Sequence, residues 1–398
     1  MSELESFRAD TRAWLEANCP SSMRTRMVPG EEINGGRKRP SNNPEAYLWL
    51  DRMIERGWTA PTWPQAYGGA GLDSECYLVL LEELQRINAR PPLVGMGITM
   101  LGPTLLEYGS EEQKQRHLPA IARGEVAWCQ GYSEPGAGSD LASLQTRAIR
   151  DGDRYIVNGS KIWTSGANFA DWIFCLVRTN VDVPKHDGIS FLLFSMDSPG
   201  VTAQPIELIN GQSHFCQTFF DEVEVPVHDR VGEENKGWTV AKRLLQHERS
   251  GLAALASAES AGPLERIRPQ YPLAELAAHY GVDLSQEPAL RDSIIDSEMR
   301  KDALLLSRKR AVAENDASTP GAVSSIFNYV EAEYVKAQLE LQRTLRGTRG
   351  IGWEGEPYTE EEIIKGRLWL ESKAISIAGG SNEVQLNIIA KRVLNLPD

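Results

Sequence analysis

The chain has 398 residues, 41% of them hydrophobic and 24% charged, which is enough apolar material for about two or three cores rather than one. A formal charge of −13 disfavours nucleic acid as a partner, and no apolar run reaches the ~20 residues that span a bilayer. The five cysteines (Cys19, Cys76, Cys129, Cys175 and Cys216) form no CxxC pair, so reduced thiols in a cytoplasmic setting are expected, with no disulfide and no metal site. The first residues lack a signal peptide's apolar segment, and Glu3, Glu5 and Asp10 argue against mitochondrial import.

Helical spacing governs residues 1–124. Tyr47, Leu48, Leu50 and Ile54 recur at helical intervals, Pro44 suits a first turn and Gly57 a stop, which predicts a helix over 44–57. Further helices are predicted over 74–88 and 111–122. Residues 58–71 hold too much Pro and Gly for a regular element and read as a packed loop anchored by Trp58, Trp63 and Tyr67.

The period changes in residues 125–235. Strands are predicted at 155–157, 171–178, 189–196 and 217–225, and Asp151-Gly152-Asp153 is a hairpin turn. A small β-barrel or sandwich is expected. Helical spacing returns over residues 236–398, with Trp238, Ala241, Leu244, Leu245 and Leu252 on one stripe. Helices are predicted over 291–314 and 326–343, and Thr359 with Glu362 forms a capping box for another, supported by Glu361 and Lys365 at i,i+4. Residues 269–288, broken early by Pro272, read as a connecting excursion. The fold class is α+β: helical domain 1–124, β domain 125–235 and a four-helix domain 236–398.

Chemistry concentrates in Gln130-Gly-Tyr-Ser-Glu-Pro-Gly-Ala-Gly-Ser-Asp140. Backbone this rich in glycine can turn successive N–H groups toward an anion, with Ser133 and Ser139 as added donors, and a pyrophosphate-bearing cofactor suits it. Leu141 stands where a dinucleotide fingerprint needs its third glycine, and no Gly-Lys-Ser/Thr follows.

This loop, with Asn158-Gly-Ser-Lys-Ile-Trp-Thr-Ser165, Gly232-Glu-Glu-Asn-Lys-Gly-Trp238 and Gly380-Ser-Asn-Glu-Val-Gln-Leu-Asn-Ile-Ile-Ala-Lys391, resembles the acyl-CoA dehydrogenase family of flavoproteins. The likeness covers essentially the whole chain. It implies a helical, a β and a four-helix domain, with FAD between the last two and its outer half touched by a neighbouring subunit. It implies removal of the α-proton of an acyl-CoA thioester and passage of the β-hydrogen to flavin N5 as hydride. An electron-transfer flavoprotein is then the implied electron acceptor. Among the implied cofactor contacts are Gln130, Tyr132 and Ser133, the latter two at the flavin's pyrimidine edge, and Gly138 and Ser139 at the pyrophosphate. Trp163 is implied beside the ring, Ser165 near N5, and Gly350 and Ser381 from the C-terminal part. Read alone, Trp163 is a barrel-core residue, and Ser133 and Ser139 are ordinary turn residues.

Many members carry the catalytic base just before a C-terminal Gly-Thr, but here that stretch is Ile377-Ala-Gly-Gly-Ser381. A minority place it eleven residues after the glycine that opens the first C-terminal helix, and from Gly237 that count reaches Glu248. Glu248 shares a stripe with Leu244, Leu245 and Leu252; its bland reading is a surface glutamate in a His247-Glu248-Arg249 cluster. Ser139, Gln246 and Arg249 are the implied substrate contacts, and residues 93–105 with Gln246 border the implied acyl tunnel.

Three features depart from homotetrameric members. Residues 261–298 hold Arg266, Arg268 and Arg291 but no Arg-x-x-Phe, Arg346 stands where an inter-subunit Gln is usual, and Glu383 replaces a frequent Gln. This resembles subunits of α2β2 enzymes for steroid or dicarboxylyl thioesters; a homotetramer is the other expectation. An oxidase or monooxygenase on this scaffold, and a non-catalytic FAD-binding subunit, are the competing functions.

Overall fold

The structure is a computed structural model that describes all residues except 1, 26, 28, 29, 37, 39, 256–263, 265, 266, 315–322 and 398. The side chains of 248–255, 309, 312–314 and 323 also lie outside the described residues. The chain forms two compact units, Met1–Ile206 with Ser213–Glu248, and Glu207–Gln212 with Arg249–Asp398.

The first unit opens with α1 (Glu3–Asn18), α2 (Pro44–Glu55), α3 (Ser74–Arg86), α4 (Gly102–Tyr108) and α5 (Glu111–Ala122). Each boundary has a local cause. Asn43 caps α2 ahead of Pro44, Asp73 caps α3, and Ser110 with Gln113 makes a capping box for α5. A single π turn, Gly97–Leu101, runs directly into α4. Leu15, Trp49, Met53 and Leu80 form the helical core, and Trp58 and Trp63 are buried in the irregular loop, as expected.

Eight strands follow: β1 (Trp128–Gly131), β2 (Arg147–Asp151), β3 (Arg154–Ser165), β4 (Trp172–Arg178), β5 (Ile189–Ser195), β6 (Val201–Ile206), β7 (Phe215–Pro226) and β8 (Arg230–Val231). The hairpin at Gly152 forms, joining β2 to β3 with Asp151 opposite Arg154. Their order is β6-β7-β3-β2-β4-β5-β8, with β1 added parallel to β4. The sheet curls round one core, into which Cys129, Tyr155, Val157, Cys175, Leu192 and Val223 all point. It does not close: β6 and β8 end the path without pairing to each other, so the expected barrel is an open, curled sheet. The sheet's other face packs Tyr132, Phe174, Phe191 and Leu193 against Leu101, Leu105 and Leu118.

Helix α6 (Gly237–Leu255) starts hard against β5. A Cβ on Gly237 would sit 2.5 Å from the Ser190 carbonyl carbon, so only glycine permits this approach. Val240, Ala241 and Leu244 then bury into the same core as Phe191.

In the second unit the described helices are α7 (Leu273–His279), α8 (Pro288–Glu314), α9 (Val323–Arg346), α10 (Glu360–Glu371) and α11 (Asn382–Ile388). Helix α9 packs against the other four. Residues 269–288 are not merely a connection: Pro272 precedes a two-turn helix, α7, whose Leu273, Leu276 and Ala277 are buried with Ile294 and Leu345. Proline is tolerated there because it stands ahead of the first turn. The Thr359–Glu362 capping box forms as expected.

Candidate functional site

Strand β3 builds the site by breaking its own alternation. Tyr155, Val157 and Lys161 point inward, and strict alternation would send Trp163 after them. The register against β7 shifts between Lys161 and Thr164, giving β3 one extra residue. Thr164 takes the inward position instead, while Trp163 is turned outward with φ +60° and is 53% exposed. A tryptophan at positive φ is an outlier, and bulges of this kind re-aim side chains beside functional sites. The core reading of Trp163 is therefore overturned. Its ring meets Phe215 edge-on at 5.9 Å.

The other conspicuous pair in that motif, Asn158-Gly159, shapes the strand rather than a turn. Asn158 Oδ1 accepts from the Glu222 N–H at 2.9 Å, supporting a matching irregularity on β7 where Glu222 has φ +50°. Gly159 adopts φ +146°, and a Cβ there would lie 2.7 Å from the Thr146 Cα.

The glycine-rich loop is tied to this strand by a buried ion pair. Lys161 is fully buried, and its Nζ donates to Glu134 Oε1 at 2.8 Å and to the Tyr132 carbonyl at 3.1 Å. Glu134 also accepts from the Gln145 and Thr146 N–H groups at 2.6 and 2.8 Å. Burial acts to raise the Glu134 pKa, but the Lys161 charge and these hydrogen bonds outweigh it and hold the carboxyl below its ordinary value. The Ile162 N–H donates to the Ser133 carbonyl at 2.8 Å. Sequence reasoning missed Lys161 and Glu134 although both stood inside quoted motifs. The available signal was parity: Lys161 shares the inward phase of Tyr155 and Val157.

The predicted cofactor residues of the first unit thus gather round one strand and the loop beside it. Tyr132 and Ser133 are bound to β3 through their carbonyls, and Trp163 and Ser165 lie on β3 itself. Gln130, on β1, carries a buried Nε2 with no hydrogen-bond partner among the described residues. Glu134 and Ala137 exchange two backbone hydrogen bonds of 3.0 Å, closing a tight turn, after which Gly138 and Ser139 are exposed. Nothing lies within 4 Å of a Cβ placed on Gly138. An orphaned amide, open glycine backbone and an outward aromatic fit a phosphate-bearing, aromatic cofactor such as FAD.

Gly350 and Ser381 belong to the second unit. Gly350 is buried, with room for no Cβ beside the Arg343 carbonyl, and Ser381 is the N-cap of α11, accepting from the Val384 N–H at 3.4 Å.

On α6, the turn before Glu248 is clamped to α4. Arg243 reaches Glu107 through Nε at 2.7 and 3.0 Å and through Nη2 at 2.8 Å, and His247 Nε2 lies 3.0 Å from Glu107 Oε1. These Arg243 bonds hold the Glu107 carboxyl below its ordinary pKa. Burial lowers the His247 pKa, against the opposing pull of Glu107. Gln246 Oε1 accepts from Arg243 Nη1 at 3.1 Å. Glu248 and Arg249 stand on α6, and their side chains lie outside the described residues. At the start of α6, a cleft of about 350 Å³ is faced by His186, Asn235, Lys236, Trp238, Thr239 and Lys242, with Asp187 also on its wall.

Among the described residues no helix is long and apolar enough to cross a membrane, and no group of His, Cys, Asp and Glu is arranged to hold a metal.

Comparison with known proteins matches residues 2–125, 129–223 and 235–394 to the N-terminal, middle and C-terminal domains of acyl-CoA dehydrogenase. The chain belongs to the acyl-CoA dehydrogenase family of FAD-dependent oxidoreductases. It is 35% identical over 410 residues to acyl-CoA dehydrogenase IpdE1 of Mycolicibacterium smegmatis, covering 100% of this chain and 99% of the relative. Among solved structures, it is similar to a chain of the Tcur3481-Tcur3483 steroid ACAD, with TM-score 0.75, 32% identity and coverage of 99% and 97%. It is also similar to a chain of the ChsE4-ChsE5 complex from Mycobacterium tuberculosis, with TM-score 0.73, 29% identity and coverage of 100% and 98%.

Proposed function

We propose that the protein dehydrogenates a bulky, steroid-derived acyl-CoA thioester to the 2-enoyl-CoA, acting as the base-bearing subunit of a heteromeric assembly. The observation that carries this reading is the pairing on one strand of a pinned loop and an outward tryptophan. Bound FAD supplies the hydride acceptor.

Within the chain, Tyr132, Ser133 and Gln130 hold the ring's pyrimidine edge, Trp163 and Ser165 flank it, and Gly138 and Ser139 take the pyrophosphate. Glu248 abstracts the α-proton. Its position, eleven residues after Gly237, is the one the family resemblance implies for the base, and an apolar setting would make such a carboxylate a stronger base. Ser139, Gln246 and Arg249 contact the thioester. The cleft at the start of α6 lies about 15 Å back along the helix from Glu248. Its two lysines and its aromatic walls suit the phosphates and base of coenzyme A.

The steroid class is supported by the similarity to the Tcur3481-Tcur3483 steroid ACAD, and the heteromeric state by the two-component composition of that assembly and of the ChsE4-ChsE5 complex. An electron-transfer flavoprotein is the proposed acceptor. The test is a panel of short, branched, long, dicarboxylyl and steroid thioesters added to the purified flavoprotein, scored by loss of the visible flavin band and by mass of the enoyl product. Bleaching by the steroid thioesters is expected. Silence across the panel would defeat the reading, and rapid reoxidation by air alone would favour an oxidase.

A further inference from the structure

We infer that Lys161 is a positioning residue for the flavin, acting through Glu134 and the Tyr132 carbonyl to set the loop against the Trp163 bulge; this rests on the FAD reading above.

A buried ammonium is a costly way to hold a strand together. Replacing a buried ion pair by apolar groups of similar volume is commonly neutral or stabilising, so packing alone gives no reason for this pair. What the pair does hold is loop backbone. Lys161 takes the Tyr132 carbonyl, and Glu134 takes two successive N–H groups, those of Gln145 and Thr146, just beyond the loop. Arg178, also buried, grips the far side, donating through Nη2 to the carbonyls of Ala142 at 2.6 Å and Leu144 at 3.3 Å. The loop is therefore held toward the sheet by the Tyr132 and Ser133 carbonyls and by the Glu134 carboxylate.

That arrangement decides what Ser133 has left to offer. With its carbonyl bonded to the Ile162 N–H, its hydroxyl makes no hydrogen bond among the described residues. Lys161, Ile162 and Trp163 are consecutive, so one short stretch of β3 fixes the loop, through Lys161 and Ile162, and the outward ring. Their separation is set by the bulge and by Lys161 Nζ, not by the exposed side of the loop. Preorganisation of this kind requires the supporting side chain to be locked, and Lys161 is the locked one.

The experiment uses the full-length protein in the oligomeric form in which it is isolated. Lys161→Met with Glu134→Leu removes both charges and keeps the volume. FAD affinity after deflavination, the resolved shape of the visible flavin band and the melting temperature of the apoprotein are measured. The double variant also removes the partners of the Tyr132 carbonyl and of the Gln145 and Thr146 N–H groups, so it is expected to melt below the parent yet fold, while binding FAD about tenfold more weakly, the loss of roughly one oriented hydrogen bond, with a shifted or less resolved band. Parental affinity and an unshifted band in a folded double variant would show that the pair only supports the fold, and would overturn the inference. If the double variant does not fold, Glu134→Gln decides: weaker FAD with a shifted band supports positioning, and parental values contradict it. A parent that binds no FAD would instead defeat the flavin reading itself.

Discussion

At Trp163 the alternation of the strand and its bulge disagree, and the bulge wins. Alternation carries Tyr155, Val157 and Lys161 inward and would have buried the tryptophan, so inspection of the strand alone gives the wrong face. The family resemblance implies a place beside the flavin ring, which the outward face leaves open. Trp163→Ala is expected to leave thermal stability within about 0.5 kcal/mol, since the ring is half exposed and its backbone strained. The same change should weaken FAD about tenfold through the lost aromatic contact, read by flavin titration. A large fall in melting temperature with unchanged FAD binding would return Trp163 to a structural role. Glycine 159 is the complementary case: Gly159→Ala meets the Thr146 backbone at 2.7 Å in a strained φ, and should destabilise by about 2 kcal/mol or more in denaturant unfolding. What remained illegible at this scale was Lys161 with Glu134, because a charge in a strand gives no sign of its partner until the loop is folded beside it.

Elements with strong local signals were readable and those without were not. Helix α5 spans the predicted 111–122 because Ser110 and Gln113 box its start, whereas α7 was hidden behind Pro272 and depends on burial against α8 and α9. Edge strand β6 was missed for a like reason: its pairing with β7, not its composition, makes it a strand. Two clamps between elements carry pH-dependent stability. His117, on α5, is buried between the rings of Trp128 and Trp172 at 5.2 and 5.1 Å, and burial, with the nearby Arg116 charge, lowers its pKa from 6.5 to about 4. The unfolded chain therefore binds the proton first, and stability should fall by up to about 3 kcal/mol as pH drops from about 6.5 through 4. His117→Phe should flatten that slope in melts across this range; an unchanged slope would exclude His117 as its source. Glu83, on α3, is buried beneath Arg8, Arg12 and Arg86, and the Arg12 hydrogen bond leads in lowering its pKa from 4.5 to about 2. Its contribution is present above pH 4.5 and is lost as pH falls through about 2, a window below that of His117. Glu83→Gln should cost about 3 kcal/mol at neutral pH and remove the acid limb, measured by urea unfolding.

For the whole molecule, the order of helices, sheet and helices was legible from the change of hydrophobic period, and the family from four motifs in sequence. The openness of the sheet was not, because closure depends on which strands meet at its ends. Arg346 bears on assembly. By the family resemblance it stands where an inter-subunit Gln is usual, yet it is 3% exposed and donates through Nη1 to the Gln342 carbonyl of its own helix. The chain expressed alone should accordingly hold less than one FAD per chain, and co-expression with a related subunit should restore the ratio. Full flavin occupancy in the lone chain would favour a homo-oligomer.

The proposed role of Glu248 is removal of the α-proton on this flavoprotein scaffold. It is tested most directly by mixing an active acyl-CoA thioester anaerobically with the parent and with Glu248→Gln and following the visible flavin band in a single turnover. The variant is expected to retain FAD and bind the thioester while its bleaching rate falls by roughly 10²–10⁴. Bleaching at the parental rate in a fully flavinated variant would contradict it.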